Sequence, residues 1–182
     1  MFLDRDGVIL ENRSDYIKSW GEVRFLPGIF AALRRLARSD YAVVMVTNQS
    51  AVGRGIISLD EAMVINEGVL TEIAAQGGRV DAVYMCPHRP DEGCACRKPA
   101  PGLLLKAAQD LELVMARSYV IGDAASDIQA AHAAGAQGIL VLTGRGREQA
   151  ALLSLGGKVN CPVGADLGAA VDYILAQEEG LA

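Results

Sequence analysis

The sequence has no apolar run approaching the ~20 residues that a helix needs to cross a bilayer, and it does not begin with the charged-then-apolar pattern of a secretion signal. Basic residues are in the minority, since 17 Lys and Arg stand against 22 Asp and Glu and give a formal net charge of −5. A chain without a basic excess lacks the electrostatic footprint that attracts nucleic acids or anionic membranes. We therefore expect a cytoplasmic, monomeric protein whose partner is a small molecule, with no nucleic-acid or membrane partner.

Internal repeats, linkers and low-complexity tracts are also missing from the sequence. Its 182 residues, 51% of them hydrophobic, are enough to bury one core, so we predict a single domain over residues 1–182. A Gly-rich turn after the first apolar segment is absent as well, and Gly144-Arg145-Gly146 comes too late to open a dinucleotide-binding βαβ unit. This pattern disfavours a dinucleotide-binding dehydrogenase.

Strand-like and helix-like segments alternate along the chain. Short apolar runs predict strands at 1–3, 42–46, 80–85, 118–121 and 139–142. Helical spacing, capping patterns and Gly or Pro boundaries predict helices at 29–39, 59–76, 102–111, 126–134 and 166–177. The polar, aromatic-spotted residues 10–25 are expected to form a loop or flap. This alternation predicts an α/β fold, a three-layer α/β/α sandwich around a parallel sheet.

Polar side chains stand where three of the predicted strands end: Asp4 and Asp6, Thr47 and Asn48, and Asp123 and Asp127. In an open parallel sheet, ligands bind at the carboxyl ends of the strands, so these side chains are expected to converge. Several carboxylates in one cleft repel each other, and Mg²⁺, which prefers oxygen ligands, would hold them together. Lys98 and Thr47 add a positive charge and a hydroxyl donor, a combination that suits a phosphoryl group.

A second constellation lies in residues 86–96, where Cys86-Pro87-His88 and Cys94-Ala95-Cys96 form two close pairs of metal-ligand residues. Folding back of the intervening turn would surround a tetrahedral Zn²⁺ with three thiolates and one imidazole. Four protein ligands leave no open position, so this zinc-binding loop is predicted to be structural. A disulfide or inert core cysteines are the competing interpretations. Cys96 directly precedes Arg97-Lys98, so a clamped loop would fix Lys98 and aim Arg97 at the substrate.

Four motifs in order resemble those of a haloacid dehalogenase (HAD) superfamily phosphatase. They are Asp4-Arg5-Asp6-Gly7-Val8, Val46-Thr47-Asn48, Lys98-Pro99 and Gly122-Asp123-x-x-x-Asp127. The resemblance implies a HAD-like Rossmannoid sheet with Asp4 as the nucleophile, Asp6 as the acid–base group, and Thr47 and Lys98 holding the transferring phosphoryl. It also implies that Asp4, the backbone carbonyl of Asp6, and Asp123 bind Mg²⁺, with Asp127 just outside the ligand set.

The zinc loop, Arg97-Lys98-Pro99 and Thr47-Asn48-Gln49-Ser50 together resemble the branch of D,D-heptose 1,7-bisphosphate phosphatases and histidinol-phosphatase domains. Too few residues separate the motifs for a cap domain, so an open site is expected. The resemblance implies an Mg²⁺-dependent phosphomonoesterase that works through an aspartyl phosphate. Its implied substrate is the C7 phosphate of a heptose bisphosphate, in surface-polysaccharide (lipopolysaccharide) precursor synthesis. Its implied substrate contacts are Asn12, Tyr16, Thr47, Asn48, Gln49, Ser50, Arg97 and Lys98.

Two alternatives stay open: the same chemistry on histidinol phosphate or another small phosphate ester, and a catalytically idle phosphate-binding or zinc-stabilised interaction module. Two features depart from the family pattern. Ala124 stands where members of the branch often carry a lysine. Met1-Phe2-Leu3 is shorter than the ~5 to 6 residues usual for a strand, and we expect further residues upstream of it in a longer form of the protein.

Overall fold

The computed structural model describes residues 1–156 and 161–179. Six parallel strands form one sheet in the order β3-β2-β1-β4-β5-β6. The strands are β1 Phe2–Leu3, β2 Val44–Asn48, β3 Ala82–Cys86, β4 Tyr119–Gly122, β5 Gln137–Val141 and β6 Val163–Gly164. The helices are α1 Ile29–Leu36, α2 Ser50–Gly53, α3 Leu59–Ala75, α4 Gly102–Asp110, α5 Ala125–Ala133, α6 Gly146–Gly156 and α7 Leu167–Glu179.

Successive residues of the central strands face opposite sides of the sheet, and this alternation creates two apolar cores. Leu3 and Ile121 face one core, which is closed by α1, α3 and α7 through residues such as Leu33, Val69 and Val171. The preceding strand residues, Phe2 and Val120, face the other core, which is closed by α4 and α5 through Leu104, Ala107 and Ala130. The predicted three-layer α/β/α sandwich is confirmed.

The centre of the sheet is its shortest strand. Phe2 pairs with Val44 on one side and with Val120 on the other, and Leu3 pairs in the same way with Met45 and Ile121. Asp4 directly follows these two buried residues, and its backbone N–H donates to the carbonyl of Ile121 at 3.0 Å. The first motif therefore begins at the middle of the carboxyl edge of the sheet.

The five predicted strands are all present, with ends shifted by at most two residues. Thr47 and Asn48, expected just beyond a strand, are instead the last two residues of β2. Three elements were not predicted, namely α2, α6 and β6. Helix α2 has four residues and β6 has two, so neither is long enough to produce a periodic pattern.

Helix α3 begins at the predicted capping box. The Ser58 hydroxyl accepts from the backbone N–H of Glu61 at 3.1 Å, and the Glu61 carboxylate accepts from the backbone N–H of Ser58 at 2.7 Å. Its Gly68 lies under Trp20 of the flap, since a Cβ on Gly68 would come within 2.6 Å of the indole ring. The close approach of ring and helix anchors the flap to α3.

Within the described ranges, the segment between β1 and α1 contains one 3-10 turn, Trp20–Glu22, and no separately folded cap. The expected absence of a cap domain holds for this part of the chain. In all of the chain that the structure describes, no helix combines the length and the apolar character needed to cross a membrane.

Candidate active site

Asp4 and Lys98 form the buried centre of the site, with 7% and 3% of their surfaces exposed. The Lys98 ammonium lies 3.0 Å from Asp4 Oδ1 and 2.6 Å from Asp127 Oδ1, and it donates to the carbonyl of Val46 at 2.9 Å. These three partners match the three N–H groups of an ammonium. Burial alone would lower the pKa of Lys98, but Asp127 and Asp4 raise it above its usual value, so the lysine stays charged.

Three carboxylates crowd together beside this lysine. Oxygens of Asp4, Asp123 and Asp127 lie within 4.8 Å of one another, and all three residues are buried. Burial, reinforced by Asp127, Asp123 and Asp6 and opposed by Lys98, raises the pKa of Asp4 to about 7. Burial also raises the pKa of Asp123. Ionised together, these groups need more positive charge than Lys98 supplies.

The crowded carboxylates fit a small divalent cation. Mg²⁺ binds oxygens at ~2.0 to 2.1 Å in an octahedron, which places its ligands about 3 to 4 Å apart. Two glycines make room at this point, because a Cβ on either Gly7 or Gly144 would collide with the Asp123 carboxylate. Gly7 also has a φ of +88°, a conformation that favours glycine. Asp4, Asp123 and Asp127 could therefore hold Mg²⁺, whereas the Asp6 carboxylate lies outside this group.

The Asp6 side chain has its own set of partners. Its carboxylate accepts two hydrogen bonds from the Arg5 guanidinium, at 3.1 Å and 2.9 Å. Gln49 Nε2 donates to Asp6 Oδ2 at 2.8 Å and to Thr47 Oγ1 at 2.7 Å. Asp6 is a quarter exposed and lines the cleft described below, whereas Arg5 is buried. The two carboxylates of the first motif thus occupy different environments, one deep beside Lys98 and one at the cleft.

Asn48 contacts the backbone of Lys98. Its amide Nδ2 donates to the Lys98 carbonyl at 3.0 Å, and its Oδ1 accepts from the Lys98 N–H at 3.1 Å. The side chain that was predicted to contact substrate is therefore committed on both sides to the segment that carries the lysine. This paired hydrogen bond links β2 to the loop after the cysteines.

An open cleft of about 770 Å³ lies beside the buried carboxylates, and Asp6 and Arg145 are among the residues that line it. Five predicted substrate residues line it: Asn12, Tyr16, Gln49, Ser50 and Arg97. Thr47 and Lys98, also predicted to contact substrate, are buried. Asn12 Nδ2 is 3.5 Å from Asp123 Oδ2. Tyr16 has a φ of +67°, which is unusual for a residue other than glycine. The flap therefore contributes one wall of the cleft.

The predicted zinc loop brings its four ligand residues together. Cys96 Sγ is 3.2 Å from Cys86 Sγ and 3.4 Å from Cys94 Sγ, and His88 Nδ1 is 3.3 Å from Cys96 Sγ. Thiolates around a tetrahedral Zn²⁺ are ~3.8 Å apart, given Zn–S bonds of ~2.3 Å, so this cage has close to the required size. All four cysteines of the described residues are free thiols. The cage fits a metal rather than the disulfide weighed as an alternative.

Two arginines at the site were not predicted from the sequence. Arg5 separates the two motif aspartates, and its type alone gave no reason to select it. Arg145 follows β5, and its backbone N–H donates to Asp123 Oδ2 at 2.8 Å while its guanidinium lies 3.3 Å from Asp123 Oδ1. It also lines the cleft. Its position after a predicted strand, beside glycines, was the available signal.

Comparison with known proteins agrees with this geometry. A family model described as HAD-hydrolase-like matches residues 95–159. The D-glycero-β-D-manno-heptose-1,7-bisphosphate 7-phosphatase of Bordetella bronchiseptica is 42% identical over 148 residues, which are 81% of this chain and 83% of the relative. The protein of the same name from Rhodopseudomonas palustris is 44% identical over 144 residues, 75% of this chain and 79% of the relative.

A crystal structure gives the same result in three dimensions. The D,D-heptose 1,7-bisphosphate phosphatase from B. bronchiseptica, complexed with magnesium and phosphate, has a TM-score of 0.90 to this structure at 38% identity. The match covers 97% of this chain and 98% of that chain. The chain therefore belongs to the D-glycero-D-manno-heptose-1,7-bisphosphate 7-phosphatase family of HAD phosphatases.

Proposed function

We propose that this protein is an Mg²⁺-dependent phosphomonoesterase that removes the C7 phosphate of D-glycero-D-manno-heptose 1,7-bisphosphate. The observation that carries the proposal is the buried group of Asp4, Asp123, Asp127 and Lys98 beside an open cleft that Asp6 lines. This arrangement supplies a nucleophile, a cation site and an acid–base group within one site. We also propose that the enzyme is a cytoplasmic monomer with a single domain.

Asp4 would act as the nucleophile. Its Oδ1 is held by Lys98 at 3.0 Å and by the N–H of Arg5 at 2.7 Å, which fixes the orientation of the carboxylate. Attack of Asp4 on phosphorus breaks the bond to the C7 oxygen and leaves an aspartyl phosphate. Lys98 and Thr47 would carry the negative charge of the transferring phosphoryl oxygens.

Asp6 would act as the general acid and then as the general base. As an acid it gives a proton to the departing C7 oxygen, and as a base it then takes a proton from the water that attacks the aspartyl phosphate. The products are the heptose with a free C7 hydroxyl, inorganic phosphate and the regenerated Asp4. The position of Asp6 on the cleft wall, beside the buried Asp4, suits this exchange of roles.

Asp4, the backbone carbonyl of Asp6, and Asp123 would hold Mg²⁺, which supplies positive charge for the phosphoryl oxygens and for the crowded carboxylates. Asp127 would orient Lys98 instead, since the two side chains are 2.6 Å apart. Cys86, His88, Cys94 and Cys96 would hold a structural Zn²⁺ that fixes the loop leading into Arg97 and Lys98.

The shape and charge of the cleft support a sugar bisphosphate as the substrate. Four arginines line its walls, Arg13, Arg54, Arg97 and Arg145, so a second phosphate distant from the reacting one would meet positive charge. The relatives from B. bronchiseptica and R. palustris are named for the β anomer of heptose 1,7-bisphosphate. Among the implied contacts, Asn48 would act through the Lys98 backbone, and the remaining cleft residues would contact the sugar or its phosphates.

A panel of phosphate esters assayed with Mg²⁺ tests this proposal. It includes both anomers of heptose 1,7-bisphosphate, histidinol phosphate and simple sugar monophosphates. We expect kcat/KM for a heptose bisphosphate to exceed every other value by at least one order of magnitude. A higher value on histidinol phosphate would replace the substrate assignment, and equal weak rates throughout would refute it.

Asp6→Asn separates an enzyme from a phosphate-binding module. The variant keeps the size of the side chain but cannot transfer the proton, so phosphate release is expected to fall by about 10²- to 10⁴-fold. Phosphate release that survives this substitution would contradict the proposed mechanism.

A further inference from the structure

Arg5 is a fully buried arginine inside the catalytic motif. Only 1% of its surface is exposed, and it is one of the largest completely buried side chains of the described residues. Arginine is rarely buried unless all of its charge is paired. Its Nε donates to Asp6 Oδ1 at 3.1 Å and one terminal nitrogen donates to Asp6 Oδ2 at 2.9 Å. This fork fixes both oxygens of the carboxylate against the guanidinium.

The two carboxylate oxygens of Asp6 differ in how many hydrogen bonds they accept, and only Oδ1 keeps a lone pair for proton transfer. A carboxylate has about four lone-pair sites, two on each oxygen. Oδ2 accepts from Arg5 and also from Gln49 Nε2 at 2.8 Å, so both of its sites are used. Oδ1 accepts from Arg5 Nε alone among the described residues. One site on Oδ1 is therefore left for a proton.

The far side of the guanidinium is held by helix α3. The remaining terminal nitrogen of Arg5 donates to Asn66 Oδ1 at 2.8 Å. Asn66 is buried on α3, and its amide nitrogen faces the sulfur of Met85 at 3.7 Å. Since both ends of the guanidinium are bonded, Arg5 cannot rotate without breaking a contact to Asn66 or to Asp6.

We propose that Arg5 is a positioning residue that, with Gln49 and Asn66, reserves one lone pair of Asp6 Oδ1 for proton transfer. The inference rests on the proposed function of Asp6. In the first half-reaction the proton on Oδ1 passes to the leaving oxygen as its bond to phosphorus breaks. In the second, the same lone pair takes a proton from water as the water oxygen bonds to phosphorus and the bond to Asp4 breaks. Arg5 itself exchanges no proton.

The test compares two substrates in wild-type protein and in Arg5→Met, which has similar length but no donors. Heptose 1,7-bisphosphate has an alkoxide leaving group that must be protonated, whereas p-nitrophenyl phosphate has a leaving group that departs without help. We expect kcat/KM on the heptose ester to fall on the order of 10- to 100-fold, part of the usual contribution of acid–base catalysis. On the aryl ester, kcat/KM should change less than about threefold.

A second readout follows from the base step, which both substrates share. Once dephosphorylation is slowed, Arg5→Met should release a burst of p-nitrophenol, close to one equivalent per enzyme, before a slow steady state. Arg5→Lys keeps the charge but cannot form the fork, so it should behave like Arg5→Met rather than like the wild type.

Two further variants separate positioning from a merely structural role. Asn66→Ala keeps the fork and removes its anchor, and it should show the same preference for the aryl ester with a smaller loss. Ile73→Val shortens a buried side chain on the same face of α3, seven positions after Asn66, and keeps every polar partner of Arg5, so it should leave the ratio of the two kcat/KM values unchanged. If Arg5→Met does not fold, Asn66→Ala carries the test.

An equal fall on both esters, or no fall on the heptose ester, would overturn the role of Arg5 while leaving the proposed function intact. Failure of the wild-type protein to hydrolyse either ester would instead overturn the proposed function, and the inference with it.

Discussion

The two candidate metal sites are built in opposite ways. The carboxylate site takes Asp4 from the end of β1, Asp123 from the turn after β4 and Asp127 from the first turn of α5, more than a hundred positions after Asp4. The thiol cage takes its four ligands from residues 86–96. The fold of the sheet assembles the carboxylate site, whereas a single loop forms the thiol cage. The first should therefore depend on the whole fold, whereas the second should be removable with the fold intact.

Lys98 connects the two sites. Its ammonium contacts Asp4 and Asp127, while its backbone follows directly on Cys96 and Arg97 and is bonded to Asn48. Oxygen ligands suit a hard cation that stays partly hydrated and can meet substrate, and thiolates suit a zinc ion with no open position. These ligand sets suit chemistry at the first site and positioning at the second.

The largest effect is expected at the carboxylate site. Asp4→Asn removes the nucleophile without changing the volume of the side chain, and kcat should fall by about 10⁴-fold or more. The zinc content should stay at about one equivalent per chain. Steady-state kinetics and elemental analysis of the same sample measure both quantities, and substantial turnover by this variant would exclude Asp4 as the nucleophile.

The difference in folding stability between the wild type and Asp4→Asn should depend on pH. Because burial and neighbouring carboxylates raise the pKa of Asp4 to about 7, its ionised form costs free energy in the folded, Mg²⁺-free protein above that pH. As the pH falls through 7 towards the ordinary value near 3.8, the wild type takes up a proton on folding and this cost is relieved. Thermal melts in chelator should therefore show the wild type gaining stability relative to Asp4→Asn between pH 8 and pH 5. An unchanged difference would argue against the raised pKa.

A smaller effect is expected at the thiol cage. Cys96→Ser should lose the zinc and lower the melting temperature, and kcat should fall on the order of 10- to 100-fold because Lys98 is less well placed. Mg²⁺ affinity should not change. The matched control is Cys161→Ser, which alters a cysteine remote from the cage and should keep zinc, stability and rate. Full activity in zinc-free Cys96→Ser would contradict the positioning role.

The contact between Asn48 and the Lys98 backbone should affect catalysis alone, and by less than the loss of the thiol cage. Asn48→Ala removes two hydrogen bonds to the Lys98 backbone, each worth about 0.5 to 1.5 kcal/mol. We expect kcat to fall roughly tenfold by this reasoning, with KM and zinc content nearly unchanged. Asn12→Ala, on the flap, should mainly raise KM. A rise in KM for Asn48→Ala instead would mean that its amide binds substrate after all.

The smallest effect is expected at the flap. In Gly68→Ala, the added methyl group would lie 2.6 Å from the Trp20 ring and displace it. This displacement should weaken substrate binding by about 0.5 kcal/mol, or roughly twofold in KM. Trp20 is the only tryptophan of the chain, so its fluorescence reports the displacement. Gly21→Ala is the control, because a Cβ there meets only Ser19 Oγ at 3.8 Å. Equal spectra and KM values for the two variants would show that Trp20 does not anchor the flap.

The contrast between the two sites also explains what the sequence could predict. Spacing alone identified Cys86, His88, Cys94 and Cys96, since all four are local. The carboxylates were found from the rule that strand ends converge, which needs only the order of elements. The partners of Asp6 could not be found in this way, because Arg5 and Asn66 meet across 61 positions through packing of α3 on the sheet. Short elements such as β6 were not predicted, because two residues are too few to show a periodic pattern.

The most direct measurement on the two metal sites is the metal content and activity of one sample after extensive dialysis against a mild chelator. Two sites of different chemistry predict that about one zinc per chain remains, that magnesium and activity are lost, and that Mg²⁺ alone restores the hydrolysis of heptose 1,7-bisphosphate. Activity that persists without Mg²⁺, or that returns only with added Zn²⁺, would contradict a catalytic Mg²⁺ site separate from a structural Zn²⁺ site.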